Sequence, residues 1–220
     1  MSVMVQVSEL HFSTEDGIKV LEDVHLHVER GEMIFLLGPA ASGKTLLFGL
    51  LGAQIPPQHG QILVHGRNIT RLGRDRILDL QRRIGFLPQG FQPLRRSVLE
   101  NVLFKLRALG DFREQAEEKA MLSLERVGLL KEQSTDATDL ASIDRVRLGL
   151  ALATCNDPLL LLLDDLFAGL DASEQEEICR LLEQMHIGNK TILCAARAPL
   201  PLCAHRYPLV RIEDGAVRAS

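Results

Sequence analysis

Apolar and polar residues alternate over much of the first part of the chain. The stretches VMVQVSELHF, VLEDVHLHVE and ILVHGRNI show this alternation. Because successive residues of a strand point to opposite faces, this pattern predicts half-buried antiparallel strands. The third stretch contains a polar turn, which we expect at Gly66 to Asn68. These strands would form a small antiparallel β layer.

KTILCAA and YPLVRIEDGAVRAS predict further strands, and two later runs, EMIFLLG and LLLLLD, are almost entirely apolar. Such runs predict strands that are buried on both faces, as in a parallel sheet. Helical spacing follows in TLLFGLLGAQ and in ASEQEEICRLLEQMHI, and Asp214–Gly215 predicts a hairpin turn near the C-terminus. Strands and helices that alternate in this way predict an α/β core.

The pattern becomes helical between about Ser97 and Leu152. VLENVLFKLRALG, REQAEEKAMLSLERVGLL and DRVRLGLALATC carry apolar residues three and four positions apart, separated by glycine or polar breaks. We therefore predict one domain over 1–220. Its β layer and core would comprise 1–90 and 153–220, and 91–152 would form a helical subdomain.

Composition excludes two classes of protein. Apolar residues are 46% of the chain and the formal net charge is −4, so neither disorder nor a general affinity for nucleic acid is expected. The longest apolar runs are far shorter than the roughly 20 residues of a membrane helix. The chain itself is therefore predicted to be soluble.

The N-terminus and the cysteines both indicate a reducing compartment. MSVMVQVSEL has no basic segment followed by an apolar core, so we expect no export signal and a cytoplasmic location. Cys155, Cys179, Cys194 and Cys203 lack CxxC spacing. We expect all four to be reduced thiols in the core, without a metal or disulfide role.

The octapeptide GPAASGKT fits the phosphate-binding pattern G-x-x-x-x-G-K-[ST] between a predicted strand and a predicted helix. Its two glycines let the backbone curl so that N–H groups point inward, and the following helix adds its positive N-terminal end. Lys44 would reach the β and γ phosphates, and Thr45 would give its hydroxyl to Mg²⁺. The predicted ATP-binding loop comprises Gly38, Pro39, Ala40, Ala41, Ser42, Gly43, Lys44 and Thr45.

A carboxylate for the metal is expected at the end of a buried parallel strand beside this loop. LLLLLD supplies it in Asp164, while the leucines are predicted to be core. Thr45 and Asp164 together therefore predict a Mg²⁺ site.

Longer stretches resemble one family. GEMIFLLGPAASGKTLL, GRNITRLGRDRILDLQRRIGFLPQGFQPL, SVLENVLFKL and LERVGLL resemble, in order and spacing, the ATP-binding subunits of ABC transporters. Within that family the likeness is greatest to the bacterial cell-division ATPase FtsE, and lipoprotein-release and phospholipid-transport ATPases share much of it. The resemblance covers nearly the whole chain. It implies a P-loop NTPase with a RecA-like core, an antiparallel β layer and a helical subdomain.

The resemblance also assigns two loop residues. Gln89, in FLPQG, looks like the Q-loop glutamine that meets Mg²⁺ and the γ phosphate and leads into the segment touching the membrane partner. Asp171, in GLD, resembles the D-loop aspartate that communicates across a dimer interface. A helix N-cap is the alternative reading of Asp171, and both roles are compatible.

Two departures from the family concern catalysis. Asp165 stands where the family has a glutamate that polarises the attacking water. The aspartate side chain is one methylene shorter, and the resulting displacement of the base would lower the rate on the order of a hundredfold. Arg197, in CAARAP, stands at the switch histidine. Arginine cannot share a proton as imidazole does, but its fork can grip a γ phosphate. The alternative is a surface arginine that points elsewhere.

Two further departures concern binding. LASID, residues 140–144, aligns with the signature Leu-Ser-Gly-Gly-Gln/Glu, so Ala141 lacks the hydroxyl and Ile143 adds bulk. Ser142 is either a substitute donor to the partner's nucleotide or a helix cap. The adenine-stacking aromatic residue aligns near Thr14, and Phe12, two residues away, is predicted to be core rather than a platform.

These features predict an ATP-binding subunit of a membrane ABC complex, peripheral on the inner face of the cell membrane. The subunit would form a homodimer or heterodimer around Mg-ATP and engage an integral membrane subunit, either FtsX-like or a transporter permease. Slow hydrolysis, with Asp165 as base and Lys44, Gln89 and Arg197 assisting, defines a motor. ATP binding without useful hydrolysis defines a switch or scaffold. A lipid or lipoprotein transporter is the alternative to the cell-division complex.

Overall fold

The computed structural model describes residues 2–219. Its strands are β1 (Val3–Ser13), β2 (Lys19–Glu29), β3 (Met33–Leu37), β4 (His59–Val64), β5 (Arg67–Asn68), β6 (Ile84–Leu87), β7 (Leu160–Asp164), β8 (Thr191–Ala196), β9 (Leu209–Glu213) and β10 (Ala216–Ala219). Its α-helices are α1 (Lys44–Leu51), α2 (Arg74–Gln81), α3 (Val98–Ala108), α4 (Arg113–Arg126), α5 (Ser142–Thr154) and α6 (Ala172–Ile187). Short 3₁₀ helices occupy Ile69–Arg71, Leu130–Glu132, Ala137–Asp139 and Leu202–Arg206.

The predicted antiparallel layer is a four-stranded sheet in the order β2-β1-β4-β5. Val5 of β1 pairs with Val28 of β2 and with Val64 of β4, so apolar side chains from three strands share one buried face. The turn between β4 and β5 lies at His65–Gly66, with φ of 52° and 72°, rather than at Gly66 to Asn68. A two-residue hairpin turn of this kind needs consecutive left-handed residues, and Asn68 continues in β5.

A six-stranded sheet, in the order β10-β9-β3-β8-β7-β6, forms the α/β core. All its neighbours are parallel except β9 and β10, which form a hairpin through Asp214–Gly215, as predicted. The leucine run of β7 is buried on both faces. Leu161 and Leu163 face the helical side, and Leu160 and Leu162 face α1 and the antiparallel layer. This explains why the run lacks alternation.

The middle of the chain contains the predicted helices α3, α4 and α5. Ser97 begins α3 with a capping box, in which its hydroxyl accepts from the Glu100 amide and the Glu100 carboxylate accepts from the Ser97 amide. The buried Asn101 side chain ties the preceding loop to α3, because it bonds both the amide and the carbonyl of Leu94. Across 2–219, no helix is both long and apolar enough to span a membrane.

The expectation for the cysteines was half wrong. Cys155 and Cys194 are buried thiols, as predicted. Cys179 of α6 and Cys203 form a disulfide, with Cα atoms 6.4 Å apart. The two residues are 24 positions apart in sequence, and only the packing of α6 on the 3₁₀ helix Leu202–Arg206 brings them together.

Two elements, α2 and β6, were not predicted from the hydrophobic pattern. The strand β6 has only four residues and lies at the edge of the core sheet. Its Gly85 lies so close to α5 that an added Cβ would overlap the Ala153 carbonyl oxygen and lie 2.5 Å from Leu161 Cδ2. A four-residue run with a central glycine carries little pattern of its own, so tertiary packing determines this strand.

Candidate nucleotide-binding site

The loop 38–43 curls between β3 and α1, as predicted. Gly43 has φ of 97°, and a Cβ there would lie 2.8 Å from Leu21 Cδ2. A Cβ on Gly38 would lie 2.6 Å from Ser42 Oγ and overlap the Ile212 carbonyl. Gly43 therefore requires glycine for its left-handed conformation, and Gly38 requires it for close approach. The loop leads directly into α1, whose N-terminal end favours an anion.

The Lys44 ammonium group lies at the centre of this loop. Its Nζ donates to the carbonyl oxygens of Gly38 and Pro39, at 2.8 and 2.6 Å, and to Ser42 Oγ at 3.0 Å. Burial lowers the pKa of Lys44, while the nearby carboxylates of Asp164 and Asp165 act in the opposite direction. A cation held inside a loop that leads into the N-terminal end of a helix is suited to phosphate.

Asp164 ends β7 next to Thr45. Its side chain is 2% exposed, and Oδ2 has no hydrogen-bond partner within residues 2–219. Burial raises the pKa of the Asp164 carboxyl, and interactions with the Thr45 hydroxyl and the Gln89 backbone act against this rise. A buried carboxylate with an unpartnered oxygen beside a hydroxyl is a donor set that fits Mg²⁺, which prefers oxygen ligands.

Asp165 and Arg197 form an ion pair at the mouth of the same cleft. One terminal N–H group of Arg197 donates to Asp165 Oδ2, and Arg197 Nε lies 3.3 Å from Oδ1. Gln89 Nε2 also donates to Oδ2, at 2.9 Å. The reading of Arg197 as a surface residue that points elsewhere is therefore wrong for this structure, since its guanidinium group faces the site.

These residues line one cleft of about 570 Å³. Beside the loop residues Ala40 to Thr45, it is lined by the predicted residues Gln89, Asp164, Asp165 and Arg197 and by Val20, Leu46 and Ile55. The last three were not predicted. Val20 precedes Leu21, which packs behind Gly43, but an apolar residue in a strand carries no sequence signal for ligand contact.

The signature-like segment lies in a second cleft. Ser142 is the exposed first residue of α5 and lines this cleft with Phe91, Arg145 and Asp165. The N-cap of α5 is Ala141, and within the described chain no side chain caps this helix, so the capping interpretation of Ser142 is wrong. Asp171, by contrast, caps α6, because its carboxylate accepts from the Glu174 amide at 2.9 Å.

The residues near the expected adenine platform have other contacts. Phe12 packs against the apolar core between the two sheets, as predicted. Thr14 belongs to a turn, in which its amide donates to the Ile18 carbonyl and its hydroxyl accepts from the Ile18 amide. Apolar contact with a base in the main cleft would therefore come from aliphatic residues such as Val20 and Ile55.

Sequence comparison identifies the family to which this chain belongs. Residues 21–168 match the family described as ABC transporter. This chain is a member of that family. It is 30% identical over 216 residues to an uncharacterized ABC transporter ATP-binding protein of Thermotoga maritima, covering 97% of this chain and 92% of the relative. It is 36% identical over 179 residues to the taurine import ATP-binding protein TauB of Escherichia coli K12, covering 81% and 67% of the two chains.

Solved ABC cassettes have the same fold. The cbiO1 protein of Clostridium perfringens, part of the ABC transporter complex cbiONQ, superposes with a TM-score of 0.89 at 26% identity, over 99% of this chain and 88% of cbiO1. A dimeric cassette in a post-hydrolysis state, bound to ADP and Pi, superposes with a TM-score of 0.86 at 23% identity, over 98% and 97% of the two chains. The predicted P-loop NTPase fold is therefore confirmed, and this ABC protein is an ATP-binding subunit.

Proposed function

We propose that this chain binds Mg-ATP in the cleft at residues 38–45, dimerises around the nucleotide and transmits its state to a membrane partner. The observation that carries this proposal is the combination of Lys44 inside the loop with the unpartnered Asp164 oxygen beside Thr45. Lys44 would hold the β and γ phosphates, and Thr45, Gln89 and Asp164 would hold Mg²⁺. The metal would supply charge neutralisation between the phosphates.

The proposed output is a slow motor. Closure of the dimer on ATP and slow hydrolysis at Asp165 would drive a membrane subunit that docks beside Gln89. Ser142 would contribute a weakened donor to the opposite subunit's nucleotide. The non-hydrolysing switch is the second candidate. The ion pair favours it, because Arg197 occupies the Asp165 carboxylate that would act as the base.

For the membrane partner we propose an FtsX-like protein, on the strength of the FtsE-like motifs alone. The alternative is a permease that moves lipids or lipoproteins. The relatives named above include a taurine import protein, so the identity of the partner has to be measured directly. In either case the subunit would lie on the inner face of the cell membrane through this partner.

One preparation tests these proposals. The chain is purified with its native membrane partner, the partner is identified by mass spectrometry, and phosphate release is measured for wild type, Lys44→Ala and Asp165→Asn. Turnover that both substitutions abolish supports the motor. Magnesium-dependent ATP binding without turnover supports the switch. Absence of a membrane protein from the purified complex would contradict the assignment as a transporter subunit.

A further inference from the structure

Asp165 and Arg197 leave neighbouring strands at the same edge of the core sheet. Asp164 of β7 pairs in register with Ala195 of β8, so the residues that follow each strand emerge side by side. Asp165 continues this pairing, because its amide donates to the Ala195 carbonyl at 2.9 Å. The ion pair between Asp165 and Arg197 is therefore a consequence of strand order in the core.

Donor groups of the chain occupy most of the acceptor positions of the Asp165 carboxylate. Two N–H groups of Arg197 and one of Gln89 donate to it. A carboxylate has about four acceptor positions, so three of them are taken. The Asp165 side chain is 8% exposed, which leaves little room for water at the remaining position. In this arrangement Asp165 is not free to accept a proton from an attacking water.

Arg197 is the more exposed partner of the pair. The Arg197 side chain is 48% exposed. Asp165 has a left-handed backbone, with φ of 52°, directly after a buried strand. The same cleft holds Lys44, whose charge interacts with both Asp165 and Arg197. A γ phosphate bound at Lys44 would therefore lie within reach of a guanidinium group that is held by a single carboxylate.

Charge and shape both favour transfer of the guanidinium to a phosphate. Arginine forms bidentate pairs with phosphate as it does with carboxylate. The γ phosphate of ATP carries more negative charge than Asp165, and it would lie close to Lys44 and the N-terminal end of α1. ADP places no phosphate at the γ position, so no group at that position competes with Asp165.

We propose that the Asp165–Arg197 ion pair is an autoinhibitory latch, which the γ phosphate of ATP opens by taking the Arg197 guanidinium group from Asp165. With ADP, or without nucleotide, the latch stays closed and Asp165 stays occupied. Arg197 thereby distinguishes ATP from ADP. This inference rests on the proposed function, because it requires nucleotide in the cleft.

The test is a binding cycle with Mg-ATP and Mg-ADP, measured by calorimetry on wild type, Arg197→Ala, Asp165→Asn and the double variant. Asp165→Asn frees Arg197 and should tighten Mg-ATP binding about tenfold, the scale of one charge-assisted hydrogen bond. In the Asp165→Asn background, Arg197→Ala should weaken Mg-ATP binding by a similar factor and change Mg-ADP binding less than about twofold. Arg197→Lys, which keeps charge without the fork, should restore part of the loss.

A second readout does not depend on substitution. The NMR signal of the Arg197 Nε–H group should shift on addition of Mg-ATP and stay near its nucleotide-free position with Mg-ADP. Thermal unfolding of each variant checks that the fold is intact.

Two results would overturn the latch. If Arg197→Ala has no effect on Mg-ATP binding once Asp165 is Asn, then Arg197 only neutralises Asp165 in place. If Arg197→Ala weakens Mg-ATP and Mg-ADP equally, the guanidinium does not sense the γ phosphate. Failure of the proposed function looks different, because wild type would then bind neither nucleotide in a magnesium-dependent way.

Discussion

Asp164→Asn should stabilise the nucleotide-free chain and weaken nucleotide binding. Asp164 is 2% exposed and one of its carboxylate oxygens has no partner within residues 2–219. Leaving a buried polar atom unsatisfied costs about 1–3 kcal/mol, and more when the group is charged. Asparagine keeps the shape and removes the charge. We therefore expect the free energy of unfolding to rise by about 1 kcal/mol at neutral pH without nucleotide.

Mg-ATP should reverse the order of stability. At a concentration of about 100 times Kd, a ligand adds about 2.7 kcal/mol to the wild type. If loss of the metal carboxylate weakens binding about a hundredfold, the variant gains only about 0.4 kcal/mol at that concentration. The variant would then be less stable than wild type by about 1.3 kcal/mol. Urea denaturation with EDTA, and again with Mg-ATP, measures both differences.

The pH dependence has a definite sign. Burial raises the pKa of Asp164 in the folded state above its value in the unfolded chain. The folded state is therefore favoured while this carboxyl is protonated, and that advantage is lost as pH rises through the folded pKa. The gain from Asp164→Asn should be largest at neutral pH and shrink as pH falls towards about 4.

The neighbouring aspartate provides the matched control. The Asp165 carboxylate accepts hydrogen bonds from Gln89 and Arg197, so Asp165→Asn relieves no unpartnered oxygen and should not stabilise the nucleotide-free chain. A nucleotide-free Asp164→Asn chain that is less stable than wild type at neutral pH would contradict the buried, unpartnered carboxylate. So would a stabilisation that grows on acidification.

Three substitutions test the packing that holds the site, each by urea denaturation. Gly85→Ala should lower the free energy of unfolding by about 2 kcal/mol or more, because the new methyl group overlaps the Ala153 carbonyl. The control Gly73→Ala, in open space, should change the free energy of unfolding by less than about 0.5 kcal/mol. Equal effects of the two substitutions would contradict the close approach at Gly85. Leu162→Ala should cost about 2–5 kcal/mol, since this side chain is fully buried, and a cost below about 1 kcal/mol would contradict the two-sided core. Ser97→Ala should cost about 1 kcal/mol and speed amide exchange in the first turn of α3, and unchanged exchange would count against the capping box.

The shape of the loop at residues 38–45 and the position of Asp164 beside it could be predicted because their signals are local. The loop is contiguous, and both glycines are required by backbone geometry within a few ångströms. The position of Asp164 follows from one further rule. The carboxyl ends of parallel strands lie at one edge of the sheet, and the loop after β3 lies at the same edge. The leucine run that precedes it is apolar on both faces, which only a strand between two covered layers needs.

Other features depend on contacts that sequence spacing does not reveal. The pairing of Asp165 with Arg197 joins residues 32 positions apart and follows only from β7 and β8 being neighbours. The disulfide between Cys179 and Cys203 likewise depends on how α6 packs against a later segment. In each case tertiary packing, and not the local pattern, determines the contact.

Titration of Mg-ATP into the purified full chain by calorimetry shows whether the cleft binds nucleotide. We expect saturable binding of one nucleotide per chain, which EDTA abolishes and which Lys44→Ala weakens at least about tenfold, because the ammonium group is the loop's own cation. Binding that is indifferent to magnesium and to Lys44, or no uptake of nucleotide by a chain that circular dichroism shows to be folded, would contradict this expectation.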